Sequence, residues 1–231
     1  DAYGASIVQN IKDYNTHIAL GDMDVQIIPT DPAENYKRTG VRDANLIAYT
    51  AKVSAFGHSA YLAADLEAGG GYEDRIAPIV GRVDMLKAGH HGLPSSNTES
   101  FLGALSPSVI VQTGPEWYSP DRLTASVVDG TTVWAPMNQL WSSGHIPSLI
   151  ATFAPSGISY NEISSASWGH EYGGRTPRAW WFAGGRPAAK TGWWKGLSGH
   201  WYYFAGKPSA EASAWINDGG QWYWMDATGA M

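Results

Sequence analysis

Residues 199–231, GHWYYFAGKPSAEASAWINDGGQWYWMDATGAM, decide the fold of the C-terminal part of this chain. Short aromatic runs alternate there with turns that contain glycine. The run at residues 201–203 recurs 21 residues later at 222–224, and a similar run lies 21 residues earlier at 180–182. Self-similarity at a fixed period indicates a repeat architecture. Aromatic runs flanked by turn residues are typical of β-strands.

A second aromatic series interleaves with the first. It consists of Gly192-Trp193-Trp194 and Ala214-Trp215, and the two series together form units of strand, glycine turn and strand. One such hairpin is too small to bury its own apolar face, so successive hairpins must stack. The sequence therefore predicts a β-hairpin repeat solenoid over residues 178–231.

These aromatic side chains have two possible roles. They can form only the core of the solenoid, or they can also line open cages between successive hairpins. Aromatic cages attract quaternary ammonium groups through cation–π contacts, each worth roughly 0.5–2 kcal/mol. The spacing by itself leaves both roles open.

The order Gly-Trp, Trp-Tyr-Tyr and Gly-x-Met resembles choline-binding (cell-wall-binding) repeats. Residues 191–193, 199–203 and 229–231 carry the resemblance. It implies a secreted, cell-wall-associated protein of Gram-positive type, whose partners are cell-wall teichoic acid or choline-like groups. The candidate cage walls that it implies are Trp193, Trp201, Tyr203, Trp215, Trp222 and Met231.

The remaining composition separates the chain into two chemically different regions. None of the 12 tryptophans precedes Trp117, and nine of them lie from Trp168 onward.

The formal net charge of −6 argues against nucleic acid as a partner. The absence of cysteine excludes disulfides and thiolate metal sites. No run of 18 apolar residues occurs, so no membrane span is expected.

Residues 1–155 are predicted to form a layered α/β domain, because apolar strands alternate there with helices. Strands are predicted at residues 24–29, 45–49, 59–64, 83–88, 109–112, 132–134 and 149–153. Helices are predicted at 72–79 and 96–104, the second capped by Ser96 or Asn97. Residues 156–177 are rich in serine and glycine and are predicted to be a linker.

One chemical signal stands out in this domain, the sequence LKAGHHG at residues 86–92. A buried strand ends there in His90 and His91, and neutral imidazole is a good zinc ligand. Asp65 ends another apolar strand, 26 residues before His91, which leaves room for a helical crossover. The alternative is that Asp65 caps a helix and the histidines bind loop backbone.

The series strand-Asp-Leu, then VDMLKAGHHG, then Ser-Ser resembles the metallo-β-lactamase superfamily, in its branch of competence nucleases and phosphorylcholine esterases. The resemblance spans about residues 24–153. It implies an αββα sandwich and two zinc ions bridged by Asp65, with one of His91 and His90, His91 by preference, as ligand of the second ion. It also implies that Asp65, His90 and His91 are catalytic. Together with the repeats it implies a phosphodiester hydrolase that releases phosphorylcholine from teichoic acid.

The family's first metal motif, His-x-His-x-Asp-His, does not occur in this sequence. We therefore expect either that the N-terminal half of the domain is missing here or that the site is degenerate, and that this chain alone is inactive. The start at Asp1, partway into the fold, favours the first option. The alternative functions are a non-catalytic cell-wall-binding protein with an incomplete hydrolase domain and a DNA-processing nuclease.

Overall fold

The computed structural model of the chain describes residues 11, 13–31, 45, 48–114, 131–134, 149–161, 167–171, 179–183, 186–196 and 199–231. These residues are mostly β-strand, with few helices. Residues 46–47 of a predicted strand lie outside the described residues. The chain divides into two compact units. The first comprises residues 1–90, 95–107 and 153–158, and the second comprises 91–94, 108–152 and 159–231.

The first unit contains a sheet of five strands that follow one another in sequence order. They are β1 (Thr16–Leu20), β2 (Met23–Pro29), β3 (Tyr49–Ala55), β4 (His58–Leu62) and β5 (Met85–Lys87). Neighbours among the first four are antiparallel, whereas β4 and β5 are parallel. The strands predicted at residues 24–29, 59–64 and 83–88 are thus confirmed to within a few residues. The strand predicted at 45–49 was placed too early, since β3 begins at Tyr49.

Two α-helices are described in the first unit, α1 (Tyr72–Val80) and α2 (Glu99–Leu105). Helix α1 connects the parallel strands β4 and β5, which is the predicted helical crossover. The predicted cap of α2 was wrong, because Thr98 is the N-cap and its Oγ1 accepts from the Phe101 N–H at 3.3 Å. Asn97 has a positive φ of 60° and its side chain is used elsewhere.

The core of the first unit lies between the sheet and the two helices. Its largest buried side chains include Ile28, Tyr61, Leu86 and Phe101. The Tyr61 hydroxyl donates to Thr50 Oγ1 at 2.8 Å, so its one polar atom has a partner inside the core. Burial raises the pKa of Tyr61 well above its usual range. The burial of Tyr61 in β4 and of Leu86 in β5 therefore fixes the positions at which these two strands end.

The remaining strands lie wholly or partly in the second unit. Strands β6 (Val109–Val111) and β7 (Thr132–Trp134) pair in parallel, and β10 (Ser167–Glu171), β11 (Ala179–Ala183) and β12 (Arg186–Pro187) form a three-stranded sheet. Strands β8 (Ile150–Ala154) and β9 (Gly157–Asn161) form a two-stranded sheet, of which residues 153–158 are assigned to the first unit and the other residues to the second. The segment predicted as a linker, residues 156–177, thus contains β9 and β10. The αββα sandwich and the domain boundaries stay predictions.

Two further hairpins complete the second unit. Strand β13 (Lys190–Lys195) pairs with β14 (Trp201–Lys207), and β15 (Ala214–Asp218) pairs with β16 (Gln221–Met225). These pairs confirm the predicted units of strand, turn and strand. Among the described residues no helix is long and apolar enough to cross a membrane.

The hairpins stack on one another, as their small size requires. Their shared core contains Ala179, Tyr202, Phe204, Ala210 and Ala230. The segment that connects β14 to β15 also packs on this stack, because the Glu211 N–H donates to the Tyr203 carbonyl at 2.8 Å. Because each hairpin contacts its neighbours in sequence, side chains of consecutive hairpins can line a common site.

Candidate ligand-binding site

The register of the β13–β14 hairpin sorts its aromatic residues onto two faces. Trp193 lies opposite Tyr203, and Trp194 lies opposite Tyr202. Side chains alternate between the faces of a strand, so Trp201 and Tyr203 share the face of Trp193. The other face carries Tyr202, which is buried in the core against Trp194. One face of each hairpin thus builds the core and the other presents aromatic rings.

A cavity of about 320 Å³ lies between the β13–β14 hairpin, which we call the second hairpin, and the β15–β16 hairpin, which we call the third. We call it the aromatic cavity. It is lined by Trp193, Trp201, Tyr223 and Met231. The volume is at the lower end of the range for ligand pockets, which suits a small ligand or the end group of a larger one. Trp201 is 39% exposed, so the cavity can be entered from solvent.

Trp193 is the ring that connects the walls of the aromatic cavity. Its ring centroid lies 5.0 Å from that of Tyr203 in its own hairpin and 5.0 Å from that of Tyr223 in the next. Both contacts are edge-to-face, which is a favourable arrangement for aromatic pairs. The Trp193 Nε1–H donates to Asp218 Oδ2 at 2.8 Å. The indole is therefore fixed from three sides.

Met231 is held in place by the turn that precedes it. Asp226 Oδ1 accepts from the Thr228 N–H, the Thr228 hydroxyl and the Ala230 N–H, at 2.7, 2.6 and 3.1 Å. This local hydrogen bonding fixes the turn at residues 226–230. The Met231 N–H then donates to the Trp201 carbonyl at 2.8 Å, which ties the last residue of the sequence to a wall of the aromatic cavity.

Three of the six predicted cage residues, Trp193, Trp201 and Met231, line the aromatic cavity. Tyr203 contacts the Trp193 ring edge-to-face and is not among the residues that line the cavity. Trp215 and Trp222 belong to the third hairpin, where they are 61% and 65% exposed. The register of that hairpin places Trp215 opposite Trp224, so these two and Trp222 share a face.

Sequence reasoning missed Tyr223. From the run at residues 222–224 the prediction took Trp222 as a wall, but Tyr223 lies between Trp222 and Trp224 on its strand and therefore faces the other way. That direction points it toward the preceding hairpin, where it contacts Trp193. The signal that could have identified Tyr223 is the 21-residue repeat combined with the alternation of side chains between the two faces of a strand.

Two charged side chains lie next to the walls of the aromatic cavity. The Asp218 carboxylate accepts the Trp193 indole hydrogen bond. The Lys195 ammonium lies 5.9 Å from the centroid of the Trp201 ring, within cation–π range. One wall therefore has a negative group beside it and another has a positive group.

The loops after β4 and β5 in the first unit hold the predicted acidic and imidazole groups. The strands are parallel, and Leu62 pairs with Lys87, so both loops leave the same edge of the sheet. The Lys87 ammonium donates to the Ala64 carbonyl at 2.6 Å and lies 4.0 Å from Asp65 Oδ1. Burial lowers the pKa of Lys87, and the Asp65 charge opposes that shift. Asp65 is thus next to a lysine on the sheet edge.

His90 lies between two polar side chains of the first unit. Its Nδ1 is 2.5 Å from Glu67 Oε1, and its Nε2 is 3.4 Å from Asn45 Nδ2. A ring that carries its proton on Nδ1 is compatible with both contacts. The His90 N–H also donates to the Ala64 carbonyl at 3.1 Å, which joins the loop after β5 to the loop after β4.

The backbone of these loops is strained. Ala64, His90, His91 and Asn97 have φ values between 44° and 60°, a region that residues with a side chain enter at a cost. Ala64, which directly precedes Asp65, adopts this conformation with a φ of 46°. Strain of this kind persists only when the surrounding structure holds it, and it concentrates at functional sites.

A buried polar network in the first unit supports the strained loop. Asn97 Oδ1 accepts from the Gly89 N–H at 2.8 Å, and Asn97 Nδ2 donates to the Gly89 carbonyl at 3.0 Å. Glu73, which is 1% exposed, accepts from the Asn97 N–H, and from the Thr98 N–H and hydroxyl at 2.8 and 2.7 Å. A Cβ atom on Gly89 would lie 2.6 Å from the Leu66 carbonyl oxygen, so glycine is required there.

His91 belongs to the second unit, unlike Asp65 and His90. Its Nδ1 lies 2.9 Å from Thr113 Oγ1, and its carbonyl accepts from the Gly114 N–H at 2.8 Å. The alternative in which the histidines serve loop structure is compatible with these contacts.

The fit to the predicted zinc centre can be tested on these contacts. A zinc site needs at least three protein ligands around one point. Across the described ranges, no group of three or more His, Cys, Asp or Glu side chains could hold a metal ion. Asp65 lies beside Lys87, and both ring nitrogens of His90 have polar neighbours. The described side chains therefore do not assemble a zinc centre, and zinc binding by Asp65, His90 and His91 stays a prediction.

Comparison with known families agrees with the repeat region. Residues 213–231 match a family described as "Putative cell wall binding repeat". The match covers the third hairpin and the turn up to Met231, and so includes Tyr223 and Met231 of the aromatic cavity. The chain matches no curated protein sequence. The chain thus carries a cell wall binding repeat at its C-terminal hairpin, and the resemblance stated for residues 178–231 is confirmed there.

Proposed function

We propose that this chain is a non-catalytic cell-wall-binding protein that recognises choline-type quaternary ammonium groups of teichoic acid in its aromatic cavity. In this role the stacked hairpins attach the protein to the wall at the outer surface of the cell. A cell wall binding repeat at residues 213–231 supports the proposal.

The observation that carries the proposal is the convergence of Trp193, Trp201, Tyr223 and Met231 on one cavity. A quaternary ammonium has a diffuse charge and methyl groups, so it suits aromatic faces better than it suits water-exposed carboxylates. Three rings at roughly 0.5–2 kcal/mol each give a total of about 1.5–6 kcal/mol before the cost of association. Because that cost is subtracted from the total, we expect a net binding free energy of about 4 kcal/mol or less, which is a millimolar or weaker Kd.

Titration of the whole protein with choline chloride, followed by tryptophan fluorescence, tests this proposal. Every tryptophan lies at residue 117 or later and within the second unit, so the signal comes only from that unit. Trp193→Ala removes the ring that contacts both Tyr203 and Tyr223, and should weaken choline binding at least tenfold.

Trp215→Ala is the matched control, because Trp215 has the same side chain and is exposed outside the aromatic cavity. It should bind choline as the unaltered protein does. If the unaltered protein does not bind choline at tens of millimolar, or if both variants lose binding equally, the aromatic cavity is not the choline site.

Hydrolysis of a phosphodiester, with release of phosphorylcholine from teichoic acid, is the second candidate function. The strained backbone at His90 and His91, next to the sheet edge that carries Asp65, favours it. The test is release of p-nitrophenol from p-nitrophenyl phosphorylcholine by the full chain with added zinc. His90→Ala should abolish turnover, and no turnover with zinc measured in the protein would exclude this function for the chain.

A further inference from the structure

The Asp218 carboxylate contacts the aromatic cavity from outside, through the Trp193 indole. Asp218 ends strand β15 of the third hairpin, whereas Trp193 lies on β13 of the second. We propose that Asp218 is a positioning residue that makes the aromatic cavity selective for cations over neutral ligands of the same shape. The proposal rests on the proposed function of the cavity and adds a residue that the repeat pattern does not assign.

The first step of the argument is the hold on Trp193. The distance between Trp193 Nε1 and Asp218 Oδ2 is 2.8 Å, which is that of a charge-assisted hydrogen bond. Such a bond is stronger than a neutral one. The turn after Asp218 consists of Gly219 and Gly220 with φ values of 60° and 85°. Two left-handed residues fit a tight hairpin turn, so the carboxylate is presented from a defined position.

The second step is what this hydrogen bond fixes. Trp193 contacts Tyr203 in its own hairpin and Tyr223 in the next, each with a centroid distance of 5.0 Å. Holding the indole plane therefore sets the relative position of rings from both hairpins. Loss of the acceptor should enlarge the cavity and weaken every ligand that fills it.

The third step is electrostatic. A carboxylate that accepts from the indole N–H polarises the ring and makes its face more attractive to a cation. It also adds a negative charge beside Trp193. The positive charge of Lys195 lies at another wall, 5.9 Å from the centroid of the Trp201 ring. Because the carboxylate is exposed and screened by water and salt, its effect should be about two- to fivefold in affinity.

The hydrogen bond and the charge can be separated experimentally. Asp218→Asn keeps an oxygen acceptor for the indole and removes the charge, whereas Asp218→Ala removes both. The ligands are choline and 3,3-dimethylbutan-1-ol, which has the same shape but carbon in place of the charged nitrogen. Both are titrated into the full chain at low and high salt, with tryptophan fluorescence as the signal.

We expect Asp218→Asn to weaken choline about two- to fivefold at low salt, less at high salt, and to leave the neutral alcohol unchanged. Asp218→Ala should weaken both ligands. Glu211→Gln, which removes a carboxylate that lies 3.3 Å from Lys207, is the control for net charge and should change neither.

The possible results distinguish this inference from the proposed function. If the unaltered protein binds choline and Asp218→Asn binds it equally well, the role of Asp218 in selectivity is refuted while the aromatic cavity remains the site. If Asp218→Asn weakens both ligands alike, Asp218 acts on packing alone and the inference also fails. If the unaltered protein does not bind choline, the proposed function itself fails.

Discussion

The loop network of the first unit and the aromatic cavity of the second unit satisfy opposite requirements. Around His90 and Gly89, polar groups are buried and contact other polar groups, as with Glu73 and Asn97. In the aromatic cavity, large rings such as Trp201 remain partly exposed to solvent. Folding normally buries apolar rings and leaves charges in water, so each region departs from the rule in its own direction.

The two departures have different meanings. A buried and fully bonded carboxylate such as Glu73 fixes the loop conformation, and its partners leave it little capacity for a ligand. Exposed rings around a cavity remain available for contacts that the chain itself does not make. This contrast is why we assign ligand binding to the second unit and a supporting role to the polar network of the first.

The largest expected effect tests the first side of this contrast. Glu73→Ala should lower the free energy of unfolding of the first unit by about 3 kcal/mol, because one buried donor from Asn97 and two partly buried donors from Thr98 lose their acceptor. Urea unfolding followed by far-UV circular dichroism measures the change.

Asp74→Ala is the neighbouring control, since its carboxylate accepts only an exposed hydrogen bond from Ser100 among the contacts described, and should cost less than about 0.5 kcal/mol. Choline affinity should be unchanged in both variants, because all residues that line the aromatic cavity lie in the second unit. Equal stability of the two variants would contradict the supporting role of Glu73.

A smaller effect tests the second side. Asp226→Ala removes the acceptor for Thr228 and Ala230 and should free the turn that positions Met231. Loss of one wall out of four should weaken choline about threefold, with tryptophan fluorescence as the signal. Asp226→Asn keeps a side-chain oxygen and should restore most of the affinity. If Asp226→Ala binds choline normally, the ordered position of Met231 does not matter for the site.

The smallest effect is a pH dependence in the first unit. Burial lowers the pKa of Lys87 in the folded state, so between that value and the ordinary 10.5 the unfolded state binds more protons. This group therefore makes stability rise with pH in the alkaline range, up to about pH 10, where Tyr61 ionises in the unfolded chain and reverses the trend.

Lys87→Met should flatten the alkaline rise in unfolding free energy, measured by urea denaturation in steps from neutral pH up to about pH 10. A slope identical to that of the unaltered protein would show that Lys87 is as well solvated in the folded state as in the unfolded one.

The repeat region was largely predictable from sequence because its signals are local. The 21-residue period and the glycine turns predict the hairpins, and the resemblance to choline-binding repeats implies Trp193, Trp201 and Met231 among its candidate walls. Tyr223 was missed because Trp222 was chosen from the same run, although neighbours on a strand face opposite sides and Tyr223 is the one that lines the cavity. Trp215 and Trp222 have the right chemistry but lie outside the cavity in the described hairpins.

The first unit was harder to predict because its organising contacts are long-range. The parallel pairing of β4 and β5 follows from two apolar strands and a helix between them. The role of Glu73 does not, since an acidic residue in the first turn of a helix usually faces solvent. Its partners Asn97 and Thr98 are 24 and 25 residues away, and no local pattern connects them.

The placement of the aromatic cavity between two hairpins has a mechanical consequence. Trp193 and Trp201 come from one hairpin, whereas Tyr223 and Met231 come from the next hairpin and the turn after it, so any ligand that fills the cavity must contact both. A ligand that binds only the stacked form adds to the stability of that form by mass action. Under the proposed function, separating the two hairpins by force would therefore also require release of the ligand, and attachment would strengthen the stack.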